Sequence, residues 1–430
     1  MRLAASRFAR DSFLLTGVTA VERVAALLQT ILIARALGIV EYGIYGLLFT
    51  SIGFVASIAG LQMGLTATVL VARYRDTEKA KAAAVIGNVT RFALLVALAF
   101  WVLSLPFAGE LSAWLLRSPD YATAILLGCV FIGASLLSGV QDGIAQGFED
   151  FRAVAVSRFV AAAVTLAAMY PAALAAGLNG VIAAILAGVL LKAILLQRVI
   201  RAHRVALSIP RRGSGVPFRG MVLGFSLPSM LASMILGGVI WWGSFLLSRL
   251  PSGFESVALV NTGLQWRGPV LMLAASLGSV AVPIFSRLAG QGGGQDAERF
   301  RRRMLWLNGV AAVLVSVMII VLSGPLLGLY GSEFRGGSLI FAILVATTVP
   351  MVLANVHMQE LVGAGLMWRQ LALHVPMVLV MGLGFALLIP RMAGLGYAIA
   401  TAVASVVFVA CAWLGRPVRG SFRDFSGDPG

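Results

Sequence analysis

Residues 12–37 read SFLLTGVTAVERVAALLQTILIARAL, and this stretch decides the fold. About 20 consecutive apolar residues suffice for an α-helix to cross a bilayer. The run is too long for a signal-peptide core and has no small-residue cleavage site, so we expect a first transmembrane helix that is retained in the mature protein. Glu22 and Arg23 lie in its middle, where a charge that faces lipid costs roughly 2.5–3.5 kcal/mol. Both side chains are therefore expected to face a protein interior.

Apolar runs of similar length continue through the chain. They lie near 42–71, 82–107, 122–148, 152–176, 178–200, 221–248, 256–286, 304–329, 336–363, 367–390 and 393–415. Together they predict an all-α integral membrane protein of about 12 transmembrane helices. We expect two six-helix bundles, residues 1–200 and 221–415, joined by a basic cytoplasmic linker at 201–220 and followed by a cytoplasmic tail at 416–430.

The composition supports this class and argues against others. The 430 residues are 60% hydrophobic and 12% charged, with a mean hydropathy of +0.95, which a soluble domain could not carry without aggregating. The net charge of +16 is spread in short clusters between apolar runs, so we expect no nucleic-acid binding. Cys129 and Cys411 lie in apolar helices, and the three histidines have no metal-binding spacing. We expect neither a cofactor nor a metal, and a transporter rather than an enzyme.

The loops between the apolar runs predict the orientation. If the N-terminus is cytoplasmic, the opposite side of the membrane holds only Arg117, Arg249, Arg335 and Arg391, while the other loop arginines and lysines fall on the cytoplasmic side. Positive loop charge marks the cytoplasmic face. We therefore predict that both termini are cytoplasmic, which requires an even number of spans.

An internal repeat is indicated at an offset of 214 residues. Sliding the chain on itself by that amount pairs Arg35 with Arg249, Glu41 with Glu255, Gly64 with Gly278, Ala67 with Ala281 and Arg73 with Arg287. The alternative is that both segments share ordinary residues of a membrane interface. Six spans in each half would give the two bundles the same direction through the membrane, related by a pseudo-two-fold axis along the membrane normal, with a substrate site between them.

The charges inside the apolar runs predict the site. Six are cationic and three are anionic, namely Arg23, Arg35, Arg91, Arg158, Lys192, Arg267, Glu22, Asp142 and Glu360. Intramembrane charges face a protein-lined or water-filled interior and mark a substrate or ion path, and this balance favours an anionic substrate. Because guanidinium donors suit phosphate oxygens, Arg23, Arg91 and Arg158 are the expected anion contacts.

Helical periodicity places these charges on polar faces. Ser12, Thr16, Thr19, Glu22, Arg23, Gln29 and Thr30 share one face of the first helix, and Ser135, Ser138, Asp142 and Gln146 share a stripe of the fourth. Interhelical pairing of Glu22 or Asp142 with Arg91 or Arg158 is an open alternative to a substrate role. Arg267 shares its face with Gly263, so close packing competes there. Lys192 and Arg35 are expected to snorkel to the interface.

Three segments carry a resemblance to a known family. They are LIARALGIVEYGIY at 32–45, GLQMG at 60–64 before Arg73, and GFEDF at 147–151. These segments resemble polysaccharide transporters, the flippases of lipid-linked oligosaccharides, in the superfamily that also contains the multidrug and toxin extruders. A peptidoglycan-precursor flippase is not expected, since those proteins resemble this fold but add two C-terminal helices to the twelve predicted here. The chain departs from the family pattern of a strongly cationic lumen in both halves, since the second half offers only Arg267.

The resemblance implies a function, partners and a location. The expected function is to move a polyprenyl-diphosphate-linked oligosaccharide repeat unit from the cytoplasmic to the outer leaflet of a bacterial inner membrane by alternating access. The expected partners are that glycan, membrane lipids, a polysaccharide polymerase and a chain-length regulator. The implied cationic cavity comprises Arg23, Arg91, Arg158 and Arg267, and Glu22, Asp142 and Glu360 are candidates for proton or ion coupling. A cation-coupled multidrug exporter is the alternative.

Overall fold

A computed structural model describes residues 2–210, 213–214, 216, 227–290, 294–363 and 367–414. All regular secondary structure in these ranges is helical, which confirms the predicted all-α class. The chain forms two compact units, Met1–Phe245 and Leu246–Gly430. Most of the predicted linker from 211 to 220 and the tail at 416–430 lie outside the described residues.

The described residues of the first unit form five complete helices and most of a sixth. These are α1 (Arg2–Ala59), α2 (Met63–Tyr74), α3 (Lys79–Leu116), α4 (Ala122–Gly147), α5 (Phe151–Ala206) and α6 (Leu227–Ser248). A 3-10 turn at Pro119–Tyr121 joins α3 to α4. Helix α1 bends at Gly38, with φ of 79°, and α5 bends at Ala176 and Gly177. Each bent helix therefore supplies two of the predicted spans.

The second unit begins near the end of α6. It contains α7 (Gly253–Gly290), α8 (Gly294–Val321), α9 (Ser323–Tyr330), α10 (Ser338–Ala346), α11 (Thr348–Gly363) and α12 (Met367–Leu414), with a 3-10 segment at Ser332–Gly337. Helix α12 bends at Ala393. Helices α8 and α9 together cover one predicted span, and α10 and α11 cover the next.

Several helix ends differ from the prediction. The span expected at 42–71 is interrupted at Leu61 and Gln62, which have positive φ values of 45° and 50°. Helix α3 continues past Pro106 to Leu116 because its far end stays in contact with the rest of the unit through buried Leu115 and Leu116. Residues 201–206, expected to belong to the linker, continue α5.

The described helices are suited to a membrane. Seven are long and apolar enough to cross one when each bent helix is counted once. Division of the bent helices at Gly38, Gly177 and Ala393 raises this number to ten, and α6 and α7 correspond to the two remaining predicted spans. The protein is an all-α, multi-pass membrane protein of about twelve spans.

Backbone geometry supports the internal repeat. Gly38 has a positive φ of 79°, and Ser252, which is 214 residues later, has a φ of 52°. The same offset relates Arg117, with φ of 62°, to Gly331, with φ of 143°. A positive φ is uncommon for residues other than glycine, so its occurrence at Arg117 and Ser252, each paired at this offset with a glycine of positive φ, favours two copies of one chain path.

Candidate functional site

Four of the intramembrane charges meet inside the first unit. Asp142 of α4 accepts hydrogen bonds at Oδ2 from Lys192 Nζ at 3.0 Å and from Arg158 Nη2 at 3.3 Å, both from α5. The other guanidinium nitrogen of Arg158, Nη1, lies 3.7 Å from Glu22 Oε2 of α1. Glu22, Asp142, Arg158 and Lys192 are called the charge cluster below.

The bend in α5 brings the two cations together. Arg158 and Lys192 are 34 residues apart, on the two arms of α5 that meet at Ala176 and Gly177. Gly177 has φ of 53° and ψ of −135°, a conformation that a side chain would disfavour. The chain can therefore reverse here and place both cations beside Asp142.

The charges of the cluster balance one another in partly buried surroundings. The Asp142 side chain is 10% exposed, and those of Arg158, Lys192 and Glu22 are 23%, 22% and 30% exposed. Two cations and two anions sum to no net charge, and pairing offsets the cost of removing each from water. Asp142 Oδ1 is buried and accepts no hydrogen bond from the described residues. The second oxygen of this carboxylate therefore remains open to a proton or a ligand donor.

Asp142 and Arg158 of the charge cluster form part of the wall of a cavity of about 400 Å³, called the charged cavity below. Helices α1 to α5 and the break between α1 and α2 contribute to its lining. The polar lining residues are Ser57, Gln62, Thr68, Ser135, Asp142, Gln146 and Arg158. Three of these belong to the polar stripe predicted for the fourth helix, which confirms that this stripe faces an interior space. Ligand sites commonly occupy roughly 300–1,000 Å³.

Glycine contacts bring α2 against α4 beside this cavity. A Cβ atom added to Gly143 would lie 2.0 Å from the carbonyl oxygen of Gly64, and one added to Gly64 would lie 2.8 Å from that of Gly139. Small residues allow such close crossings of membrane helices. The crossing explains the glycine at the end of the GLQMG segment and holds α4 in the orientation that points Asp142 inward.

Sequence reasoning missed the role of Gln62. Gln62 lies in the break between α1 and α2, with a φ of 50°. Its side chain lines the charged cavity. Gln62 Nε2 also donates to Ser233 Oγ of α6 at 3.3 Å. The GLQMG segment was the available signal, since a polar side chain between two glycines inside an apolar run requires a structural reason.

The GFEDF segment organises the loop between α4 and α5. Arg75, which follows α2, lies 2.8 Å from Glu149 Oε1 through Nη2 and donates from Nη1 to the Gly147 carbonyl at 3.2 Å. Although partial burial acts to lower the pKa of Arg75, its hydrogen bonds to Glu149 hold that pKa above the ordinary value. Asp150 accepts a hydrogen bond from the Ala153 amide at 3.0 Å and lies 2.8 Å from His203.

The remaining cationic candidates of the first unit do not line the charged cavity. Arg23, Arg35 and Arg91 are exposed. The prediction that Lys192 snorkels to the interface is wrong, because its ammonium reaches Asp142 instead. A charged partner within hydrogen-bonding distance inside the unit removes the need to reach water. Gln29 is half-buried, while the side chains of Ser12, Thr16 and Thr19 lie outside the described part of the structure.

The candidates of the second unit do not form a comparable group in its described residues. Arg267 of α7 is 8% exposed, its Nη2 approaches Met351 Sδ, and its Nε finds no hydrogen-bond acceptor among the described residues. Its face is closely packed, since a Cβ on Gly263 would lie 2.7 Å from Leu344 Cδ1. Glu360 lies 3.6 Å from Arg301.

An all-α, multi-pass membrane protein with a charged interior cavity has the architecture of a membrane transporter. The sequence matches the family described as polysaccharide biosynthesis protein over residues 8–289. The chain belongs to that family, which confirms the resemblance found in its three sequence segments.

Curated relatives and solved structures agree with this class. The chain is 25% identical over 149 residues to the EPS I polysaccharide export inner membrane protein EpsE of Ralstonia nicotianae, and this match spans about a third of each chain, 34% in both cases. Its fold is similar to an inward-facing multidrug resistance MATE family transporter of the MOP superfamily, with a TM-score of 0.82, 14% identity, and coverage of 94% of this chain and 96% of that chain. It is also similar to the lipid II flippase MurJ, with a TM-score of 0.76, 14% identity, and coverage of 94% and 87%.

Proposed function

We propose that this protein is a flippase that moves a polyprenyl-diphosphate-linked oligosaccharide repeat unit from the cytoplasmic to the outer leaflet of a bacterial inner membrane, for surface polysaccharide biosynthesis. The observation that carries the proposal is the charge cluster at the wall of the charged cavity in a member of the polysaccharide biosynthesis family. The proposed partners are the lipid-linked glycan and membrane lipids, followed by a polysaccharide polymerase and a chain-length regulator.

Charge exchange at Asp142 would let the cavity accept a diphosphate. Asp142 Oδ2 accepts hydrogen bonds from Arg158 Nη2 and from the ammonium of Lys192. A diphosphate offers more acceptor oxygens than one carboxylate, and guanidinium and ammonium donors bind both. Substrate entry would therefore move these donors from Asp142 to phosphate. Arg158 is thus the central contact of the proposed site, with Lys192 as an addition to the predicted set.

Proton uptake by the acidic residues supplies a coupling step. Neutralising Asp142 or Glu22 would give the cluster a net positive charge and free donors for an anion. Proton release would restore the internal ion pairs and displace the anion. This sequence would couple the proton state of Asp142 to substrate affinity during alternating access. Glu360 remains a further proposed coupling residue, and Arg23, Arg91 and Arg267 remain proposed contacts of the substrate.

The test is glycan export in a strain deleted for this gene. The strain is complemented with wild type, with Arg158→Ala plus Lys192→Ala, or with Arg198→Ala, an exposed arginine of the same helix. Surface polysaccharide and the lipid-linked repeat unit of the inner leaflet are measured together. We expect loss of surface glycan and inner-leaflet accumulation in the double variant, with Arg198→Ala resembling wild type. Normal surface glycan in the deletion strain contradicts the proposal.

A cation-coupled multidrug exporter is the second candidate. Asp142 Oδ1, which is buried and accepts no hydrogen bond from the described residues, favours it because an open carboxylate can bind a proton or an organic cation. The deletion strain separates the two functions. Hypersensitivity to cationic dyes with unchanged surface glycan supports the exporter, whereas glycan loss with unchanged dye efflux supports the flippase.

A further inference from the structure

The first unit contains a second cavity of different chemistry. It has a volume of about 420 Å³ and is bounded by α1, α3, α4 and α6. Its walls are almost wholly hydrocarbon and aromatic, with Phe54, Phe107, Trp114 and Trp241 as the large rings. It is called the apolar cavity below. Its size falls within the range of ligand sites, roughly 300–1,000 Å³.

The two serines in its lining have partners within the protein. Ser51 Oγ donates to the Leu47 carbonyl at 2.8 Å and accepts from Trp241 Nε1 at 3.0 Å. Ser104 Oγ donates to the Trp101 carbonyl at 2.8 Å. Because these hydroxyls are satisfied, the walls offer little to water. Cavities of this kind stay dry and accept apolar guests.

Stacked rings form the wall contributed by α6. Trp241 stacks on Phe54 with ring centroids 5.4 Å apart, and on Trp114 at 6.4 Å. The indole hydrogen bond to Ser51 fixes the orientation of Trp241. On the α3 side, Phe107 is 55% exposed and Trp114 is 51% exposed, so the cavity is open to the surroundings of that helix and a flexible chain can enter it sideways.

The apolar cavity lies next to the charged cavity along two helices. On α4, Ile132 lines the apolar cavity and Ser135 lines the charged one. On α1, the neighbouring residues Val55 and Ala56 line the apolar and the charged cavity respectively. The change from one lining to the other thus occurs within a single helical turn of about 5.4 Å. A molecule with a charged head and a long apolar chain fits this order of surfaces.

We propose that the apolar cavity binds the first isoprenoid units of the lipid carrier while the diphosphate occupies the charged cavity. This inference deepens the proposed function and rests on it. The methyl branches of a polyisoprenoid present C–H groups at short intervals, and aromatic faces attract such groups. Irregular aromatic walls therefore suit a branched isoprenoid better than the straight acyl chain of a phospholipid.

Photocrosslinking tests the occupant directly. The full-length protein in lipid nanodiscs is exposed to a polyprenyl phosphate that carries a diazirine on an isoprene unit near the phosphate, and adducts are mapped by peptide mass spectrometry. We expect adducts on the lining of the apolar cavity. Excess unlabelled polyprenyl phosphate should remove them, and the same amount of phosphatidylglycerol should not. Adducts that phosphatidylglycerol removes equally well would identify an ordinary lipid and overturn the proposal.

The two cysteines offer a matched pair of variants. Both are free and half-buried, but Cys129 lines the apolar cavity whereas Cys411 belongs to α12 of the second unit. Cys129→Phe fills the cavity, and Cys411→Phe adds the same volume elsewhere. We expect Cys129→Phe to raise the concentration of polyprenyl phosphate needed for competition about tenfold. The added ring displaces about two buried methylene groups of the ligand, and the loss of their burial weakens binding by about that factor. Cys411→Phe should match wild type.

Equal competition in both variants, with the folded protein verified by its melting temperature, overturns the proposal. Failure of this subsite proposal can be distinguished from failure of the proposed flippase function. Reconstituted flipping of the lipid-linked repeat unit without cavity adducts removes the isoprenoid subsite alone. Cavity adducts that polyprenyl phosphate removes, in a protein that does not flip the repeat unit, remove the proposed function and retain the subsite.

Discussion

At the scale of single residues, Asp142 decides the state of the charge cluster. One of its oxygens receives both Arg158 and Lys192, and the other accepts no hydrogen bond from the described residues. An ion-pair cluster of this kind can serve either as an interhelical connection or as a substrate site. The two roles differ in what happens when the charges are removed together.

Removal of charge from Asp142 should lower stability. Asp142→Asn leaves Lys192 without an ionised partner, and removing one member of an enclosed ion pair destabilises by up to about 3 kcal/mol when the partners are partly exposed. We expect a lower melting temperature in detergent. The double variant Asp142→Leu plus Lys192→Met removes one charge of each sign and leaves Arg158 with Glu22.

The double variant should recover the melting temperature, since hydrophobic replacements of an ion pair are often neutral or stabilising. Under the flippase proposal it should still fail to move the lipid-linked repeat unit in proteoliposomes. Full transport by the double variant would assign the Asp142–Lys192 pair to interhelical packing alone.

At the scale of helices, the crossing of α2 and α4 depends on glycine. We predict that Gly143→Ala destabilises the first unit by about 1–3 kcal/mol, the usual effect of overpacking, because the added Cβ meets the Gly64 carbonyl oxygen. Gly139→Ala is the control on the same helix, since a Cβ there finds nothing within 4 Å. Thermal unfolding in detergent measures both, and equal melting temperatures for the two variants would contradict the close crossing.

The loop between α4 and α5 depends on Arg75. Arg75→Ala removes the contacts to Glu149 and the Gly147 carbonyl, so we expect faster amide hydrogen exchange across 147–151. Arg73→Ala is the matched control, because Arg73 is exposed at the end of α2. Exchange that is equally fast in wild type and Arg75→Ala would show that these contacts do not order the loop.

At the scale of the whole molecule, the repeat and the loop charges predict the same direction for both halves. Single cysteines are placed at Asp76, Asp120, Asp296 or Glu333 in a Cys129→Ser, Cys411→Ser background. In intact cells we expect a membrane-impermeant maleimide to label positions 120 and 333 alone. Positions 76 and 296 should react only after permeabilisation. Labelling of 120 and 333 from opposite sides would show that the halves run in opposite directions.

Much of the architecture was predictable because hydrophobicity acts locally along the chain. The length of the apolar runs and a composition too hydrophobic for a soluble protein predicted the all-α membrane class. The bends at Gly38 and Gly177 fall between spans that were predicted separately. The polar stripe of the fourth helix was predictable because helical periodicity alone places Ser135, Asp142 and Gln146 on one face.

The sequence by itself determined which residues are costly to place against lipid, since the cost of burying a charge in hydrocarbon depends only on the residue and its depth. Only the tertiary structure decided which charges meet. Lys192 reaches Asp142 across 50 residues because α5 bends at Gly177 and returns beside α4, whereas Arg91 is exposed. Rotation and crossing of helices are determined by contacts between distant residues, such as Gly64 with Gly143, and periodicity within one helix does not specify them.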